Sequence, residues 1–164
     1  MIILGMQLTS GRKLVFSILL CESVGIISGL LAGVANNPWF EALLKPTWNP
    51  PGYLFGPVWT VLYLLMGISA WLVWKSTELI YKKRTALVYF AIQLFLNFWW
   101  SIVFFNFHSS FLALIDIIAM LLFISLTIFE FSKISKLAAW LLVPYLLWVS
   151  FATALNGTIW YLNN

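Results

Sequence analysis

The chain has 164 residues, 63% of them hydrophobic and only 9% charged, a balance that excludes a water-soluble domain of this size. Its formal charge of +4 comes from basic residues scattered between apolar runs rather than gathered in a stripe, which argues against nucleic acid as a partner. Cys21 is the only cysteine, so an internal disulfide and a cysteine cluster for metal are both excluded.

Five apolar runs follow one another: Leu14–Ala35, Pro57–Trp74, Thr85–Phe107, Phe111–Phe131 and Leu137–Leu162. Each is long enough to cross a hydrocarbon core of about 30 Å. Open strands cannot satisfy their backbone in lipid, so the sequence predicts one all-α domain over residues 1–164, a five-transmembrane-helix bundle in the bilayer. Arg12 and Lys13, eight of the nine basic residues with Lys75, Lys82, Lys83, Arg84, Lys133 and Lys136, fall on one side of such a bundle, and only Lys45 falls on the other. This asymmetry predicts a cytoplasmic N-terminus and an outer C-terminus.

The first run ends in Gly33-Val34-Ala35, as a signal peptide can, but it is too long for an h-region and Glu22 interrupts it, so we read it as a span. Gly25, Gly29 and Gly33 leave one edge of it without side chains, which suits close packing inside the monomer better than dimerisation. Glu22 lies roughly 13 Å inside the cytoplasmic end, where ionisable groups are functional candidates. A protonated, hydrogen-bonded structural role is the alternative.

The connection over residues 36–56 is the longest and contains Lys45-Pro-Thr-Trp-Asn-Pro-Pro-Gly. Prolines fix φ and remove donors, so this segment reads as a stiff outer lid carrying Trp39, Phe40, Pro46, Trp48, Pro50 and Pro51, with a short helix at Trp39–Leu44. The plainer reading is a connector.

Six tryptophans fall at interfaces: Trp71, Trp74 and Trp140 at the inner one, and Trp39, Trp48 and Trp160 at the outer one. Trp59, Trp99, Trp100 and Trp148 lie deeper and point to a pocket. At about 1.5 Å per residue, Trp59 is a few ångströms from the outer end, Asn156 about 8 Å, Trp100 about 9 Å, Asn97 and Ala152 about 14 Å, and Trp148 is near the midplane. Trp59 shares a helix face with Tyr63, Asn97 with Trp100 and Ser101, and Trp148 with Ala152 and Asn156. Three helices thus offer an aromatic, amide-lined cavity in the outer half. Gap-filling indoles and interhelical amide bonds explain the same residues equally well.

Asp116, roughly 8 Å inside the outer end of the fourth run, is a second ionisable candidate, whereas Glu130 is near enough to the inner end to snorkel. His108, in the turn His108-Ser109-Ser110, has no cysteine or carboxylate near it in sequence, so no metal site is expected. No phosphate loop, HExxH or Ser-His-Asp order is present.

The segment from Trp39 to Pro51, with Val58-Trp59, Leu62-Tyr63, Met66-Gly67 and Val73-Trp74-Lys75, resembles the translocator protein family, whose bacterial members are tryptophan-rich sensory proteins (TspO/MBR). The likeness continues through Gln93, Asn97, Trp100, Asp116, Pro144-Tyr145, Trp148 and Phe151–Asn156, and so covers nearly the whole chain. The resemblance implies a five-helix bundle, often a homodimer, that binds tetrapyrroles such as protoporphyrin IX, and isoquinoline and benzodiazepine-type ligands, beneath the first loop. It assigns ligand contact to Trp59, Asn97, Trp100, Trp148 and Ala152 and, in some bacterial relatives, light-dependent porphyrin degradation to the tryptophans matching Trp59 and Trp148. No cofactor is implied beyond the tetrapyrrole ligand, and the bacterial type of the resemblance implies an integral protein of a bacterial cell membrane.

Two departures stand out. Tyr161 is followed by Leu162, Asn163 and Asn164, so the basic residue of the animal cholesterol pattern is absent. Leu112 stands where animal relatives have a tryptophan. The expected function is a membrane receptor or sensor for tetrapyrroles that can also promote photo-oxidative porphyrin breakdown; a transporter of porphyrins or other hydrophobic molecules is the alternative.

Overall fold

The first span, α1 (Ser10–Ala32), stops before the sequence reading placed its end because Gly33 adopts φ 61°, ψ 42°. There its N–H closes back on Leu30 O at 3.2 Å and that of Val34 on Gly29 O at 3.2 Å, the left-handed ending that glycine permits without a steric penalty. The fold is described from a computed structural model covering residues 9–164. Asn37 then caps the short helix α2 (Pro38–Ala42), accepting from Phe40 N–H at 3.0 Å with Pro38 in the first turn. The stretch Leu43–Pro51 is extended or turned, as its prolines dictate.

The second span, α3 (Gly52–Lys75), begins five residues earlier than Pro57, and Pro57 sits within its first two turns. The third, α4 (Ile80–Ser101), runs on as a π-helical turn at Ile102–Asn106. Ser109 caps α5 (Ser110–Ser132), and Ser135 caps α6 (Lys136–Leu141). The fifth span is broken: α7 (Val143–Leu162) starts after Leu142, with Pro144 in its first turn unable to donate to the preceding helix. Among the described residues these elements make five segments long and apolar enough to cross a membrane, and the protein is an all-α integral membrane protein.

Helix α1 packs along α3, α4 along α5, and α5 along α7, with α6 against α3. Closest approach comes at Gly67, where an added Cβ would fall 2.6 Å from Ile18 Cα, so the α1 and α3 backbones touch in the half nearer Lys75. Of the three glycines of the repeat, Gly25 alone is tightly covered, by the Tyr63 ring, while Gly29 and Gly33 face open space. The glycine repeat therefore serves intramolecular packing at one position rather than along a whole edge. Fully buried Met66, Val73, Met120, Ile124, Phe131, Leu142 and Tyr145 fill the core. Leu19, Ile26, Leu30, Ile118, Phe129 and Leu147 cover the outside, the arrangement expected where lipid is the solvent.

Candidate functional site

Because α1 and α3 touch near Gly67 and diverge towards the lid, a cavity of about 1030 Å³ opens between α1, α2, α3, α4 and α7. That is the upper end of the range for small-molecule sites, about 300–1,000 Å³. All of the helix residues that the sequence reading placed together line it: Trp59, Tyr63, Asn97, Trp100, Ser101, Trp148, Ala152 and Asn156.

The floor is a buried polar network. Tyr63 donates its hydroxyl hydrogen to Asn97 Oδ1, Asn97 Nδ2 donates to Tyr145 Oη at 3.0 Å, and Tyr145 donates to Gln93 Oε1 at 2.8 Å. Three helices are thereby tied together at the depth where unpaired polar atoms would be costly. Asn97 is thus both cavity wall and interhelical fastener; the two readings of the intramembrane amides do not compete. Asn156 is similar: it accepts from Trp100 Nε1 at 3.1 Å and donates to Ser110 O at 2.8 Å.

The indoles differ in what remains free. Trp100 uses its N–H on Asn156 and stacks on Phe104 at 5.3 Å. Trp59 stacks on Tyr63 at 5.5 Å and meets Tyr145 edge-on at 6.2 Å. Trp148 packs on Phe55 and Phe151, and its buried Nε1 has no acceptor among the described residues. An unpaired donor in a cavity wall is available to a ligand acceptor. Trp99, grouped with these by depth, lies outside the cavity: it is 37% exposed and rests on Phe95 and Phe98. Adjacent helical residues point about 100° apart, so Trp99 and Trp100 cannot both face inward.

The lid divides in the same way. Phe40, Pro50 and Pro51 line the cavity, joined by Asn36, Asn37, Lys45 and Asn49. Trp39, Pro46 and Trp48 do not: Trp39 is sandwiched between Phe104 and His108, and Trp48 leans on Phe151 from outside. They hold the lid rather than face its contents. Asp116 also lies off the cavity, with Oδ2 buried and unpartnered among the described residues.

Two asparagines pin the lid, and the sequence reading passed over both. Asn37 Nδ2 donates to Phe105 O at 3.1 Å. Asn163, at the end of α7, accepts from Leu44 N–H at 2.9 Å and donates to Leu44 O at 2.9 Å, a pair of bonds across 119 residues. Asn163→Ala is expected to speed hydrogen exchange of the Leu44 amide about five- to tenfold, since each lost bond contributes about 1 kcal/mol. Unchanged exchange would show that the lid is held elsewhere.

The side of the cavity is open as well. Ile26 and Leu30 of α1 and Tyr53 and Thr60 of α3 line it and are also exposed, Leu30 and Tyr53 each at 76%, so the cavity wall between these helices is reached from outside the bundle. Fold and site together define a polytopic membrane protein built around a ligand-sized, aromatic-walled chamber.

A sequence profile of the TspO/MBR family matches residues 17–162. The tryptophan-rich protein TspO of Chlorobaculum tepidum is 44% identical over 148 residues, 88% of this chain and 91% of that protein. Its counterpart in Archaeoglobus fulgidus is 40% identical over 92% of this chain and 97% of its own length. The translocator protein of Homo sapiens is 38% identical over 74% and 73% respectively. The chain belongs to the TspO/MBR family.

Proposed function

We propose that the chamber binds tetrapyrroles such as protoporphyrin IX, as well as flat isoquinoline and benzodiazepine-type molecules, and that the protein acts as a receptor or sensor for them. The observation that carries this reading is the convergence of Trp59, Trp100 and Trp148 on one cavity of about 1030 Å³, wide enough for a large planar ring and walled by groups that stack on one. Lys45, the one basic residue lining it among the described residues, stands in the lid and donates to Glu41 O at 3.1 Å and Leu43 O at 3.4 Å without a carboxylate partner. A propionate at the cavity mouth supplies that partner. The floor, closed by the Tyr63–Asn97–Tyr145–Gln93 network and the α1–α3 contact at Gly67, favours a receptor over a conduit.

Titration in the dark with protoporphyrin IX and with its dimethyl ester tests this. Lys45→Ala is expected to weaken the diacid by up to about fivefold, the range of a partly exposed ion pair, and to leave the ester unchanged. Equal losses for both would remove Lys45 from propionate recognition, and no binding of either by the unmodified protein would overturn the reading.

We further infer a cytoplasmic N-terminus from the eight-to-one division of basic residues. A cysteine at Asn164 is then expected to react with an impermeant thiol reagent on intact cells and one at Thr77 is not, Cys21 being buried. The reverse pattern would invert the topology.

A further inference from the structure

Glu22 has no part in tetrapyrrole recognition as set out above, yet it lines the same cavity. On α1 it lies between Ile18, where the backbone meets Gly67, and Gly25, which is covered by Tyr63. Every other α1 residue in the cavity wall is nearer the lid, so Glu22 marks the innermost end of that wall. Neither ion pair of the described residues involves it. The serines around it are turned to the backbone: Ser17 donates to Lys13 O at 2.9 Å, Ser23 to Leu20 O at 2.9 Å and Ser28 to Gly25 O at 3.2 Å.

A carboxyl group at this depth with nothing to pair with is costly to keep unless a partner is supplied. The helix-end lysines and arginines lie outside the chamber, and Lys45 is held at its lid by two backbone carbonyls. A ligand in the chamber is in position to bring that partner. Exposure lies on the same side: Ile26 and Leu30, on the same helix as Glu22, line the chamber and are also exposed to the outside. Trp59, stacked on Tyr63 in the same wall, adds an aromatic face that favours a cation.

We propose that the inner end of the cavity is a subsite for the protonated nitrogen of a lipophilic amine entering from the bilayer between α1 and α3, with Glu22 as its counter-charge. The chamber then offers Lys45 at the lid for an acid and Glu22 at the floor for a base, with Glu41 the other carboxyl group of its lining, at the lid end. This rests on the cavity being a ligand site, as proposed above, and not on the ligand being a tetrapyrrole.

The test uses 1-pyrenemethylamine and 1-pyrenemethanol, which share a ring and differ in carrying an ammonium or a hydroxyl group. Both are titrated into the full chain in phosphatidylcholine nanodiscs, read by tryptophan-to-pyrene energy transfer and corrected against empty discs. The amine is expected to bind about tenfold more tightly, the ratio that about 1.4 kcal/mol represents. Glu22→Gln should bring the two affinities together and Glu22→Asp should retain part of the difference. Glu78→Gln, a change outside the chamber, should retain all of it. Protoporphyrin IX, titrated in parallel, reports whether each variant still forms the chamber. Equal affinities for the two pyrenes in the unmodified protein that binds protoporphyrin IX would overturn the amine subsite and leave the tetrapyrrole reading standing. A tenfold ratio that survives Glu22→Gln would also overturn it. Failure of all three ligands on the unmodified protein would overturn both readings.

Discussion

Replacing Ala152 by phenylalanine is expected to weaken protoporphyrin IX binding by at least about tenfold, the largest loss of affinity from any single change considered. Ala152 is buried in the cavity wall one helical turn from both Trp148 and Asn156, so its small side chain holds open the space between the α7 indole and the Asn97 floor. A phenyl ring there occupies volume that a flat ligand needs. Ala154 provides the control, since it lies on the same helix but is exposed on the outside of the bundle. Ala154→Phe adds the same bulk and should leave binding unchanged. If both variants bind alike, the ligand does not reach the α7 wall.

The second large effect concerns chemistry. Under light, bound porphyrin is expected to be lost, and the double change Trp59→Phe with Trp148→Phe should slow that loss by about tenfold or more. Dark affinity should fall much less, because aromatic stacking contributes only about 0.5–1.5 kcal/mol per pair beyond the area buried. An indole is electron-rich, and one held against an excited tetrapyrrole, or the singlet oxygen it generates, is oxidised where phenylalanine is not. The two indoles are not equivalent. Trp59 is backed by Tyr63 and Tyr145, whereas Trp148 keeps a buried N–H free for a ligand acceptor. Of the single variants, Trp148→Phe should therefore cost more dark affinity. Degradation at the unmodified rate in the double variant would reduce both tryptophans to cavity wall.

The span count was legible because hydropathy in lipid is a strong constraint and five runs left little chain over. The helix faces were legible too: period 3.6 placed Trp59 with Tyr63, Asn97 with Trp100, and Trp148 with Ala152 and Asn156, and all seven line one chamber. Depth alone misled for Trp99, since depth fixes height along a helix but not direction around it. The helix ends shifted where a local conformation decided them, as at Gly33 and in the break before Pro144.

Contacts between distant segments stayed hidden. Asn163 reads as a polar tail residue, and only the return of α7 to the lid shows that it holds Leu44. Tyr145 and Gln93 were similarly overlooked as floor, although Gln93 stands four residues before Asn97 on the same helix face. Trp39 and Trp48 are legible as interface and lid residues, but which lid side chains face the cavity is not, since a non-helical segment has no fixed period; Phe40, Pro50 and Pro51 line it, whereas Trp39 packs on His108 and Trp48 on Phe151.

The central claim is that one chamber beneath the lid holds the tetrapyrrole, and a structure of the protein with protoporphyrin IX tests it most directly. The expected result is a single macrocycle per chain lying among Trp59, Trp100 and Trp148, with a propionate directed to Lys45 and the ring edge over Ala152. A macrocycle bound instead on the outer, lipid-facing surface, for example beside Trp140 and Lys136 in the shallow groove between α5 and α6, would contradict it.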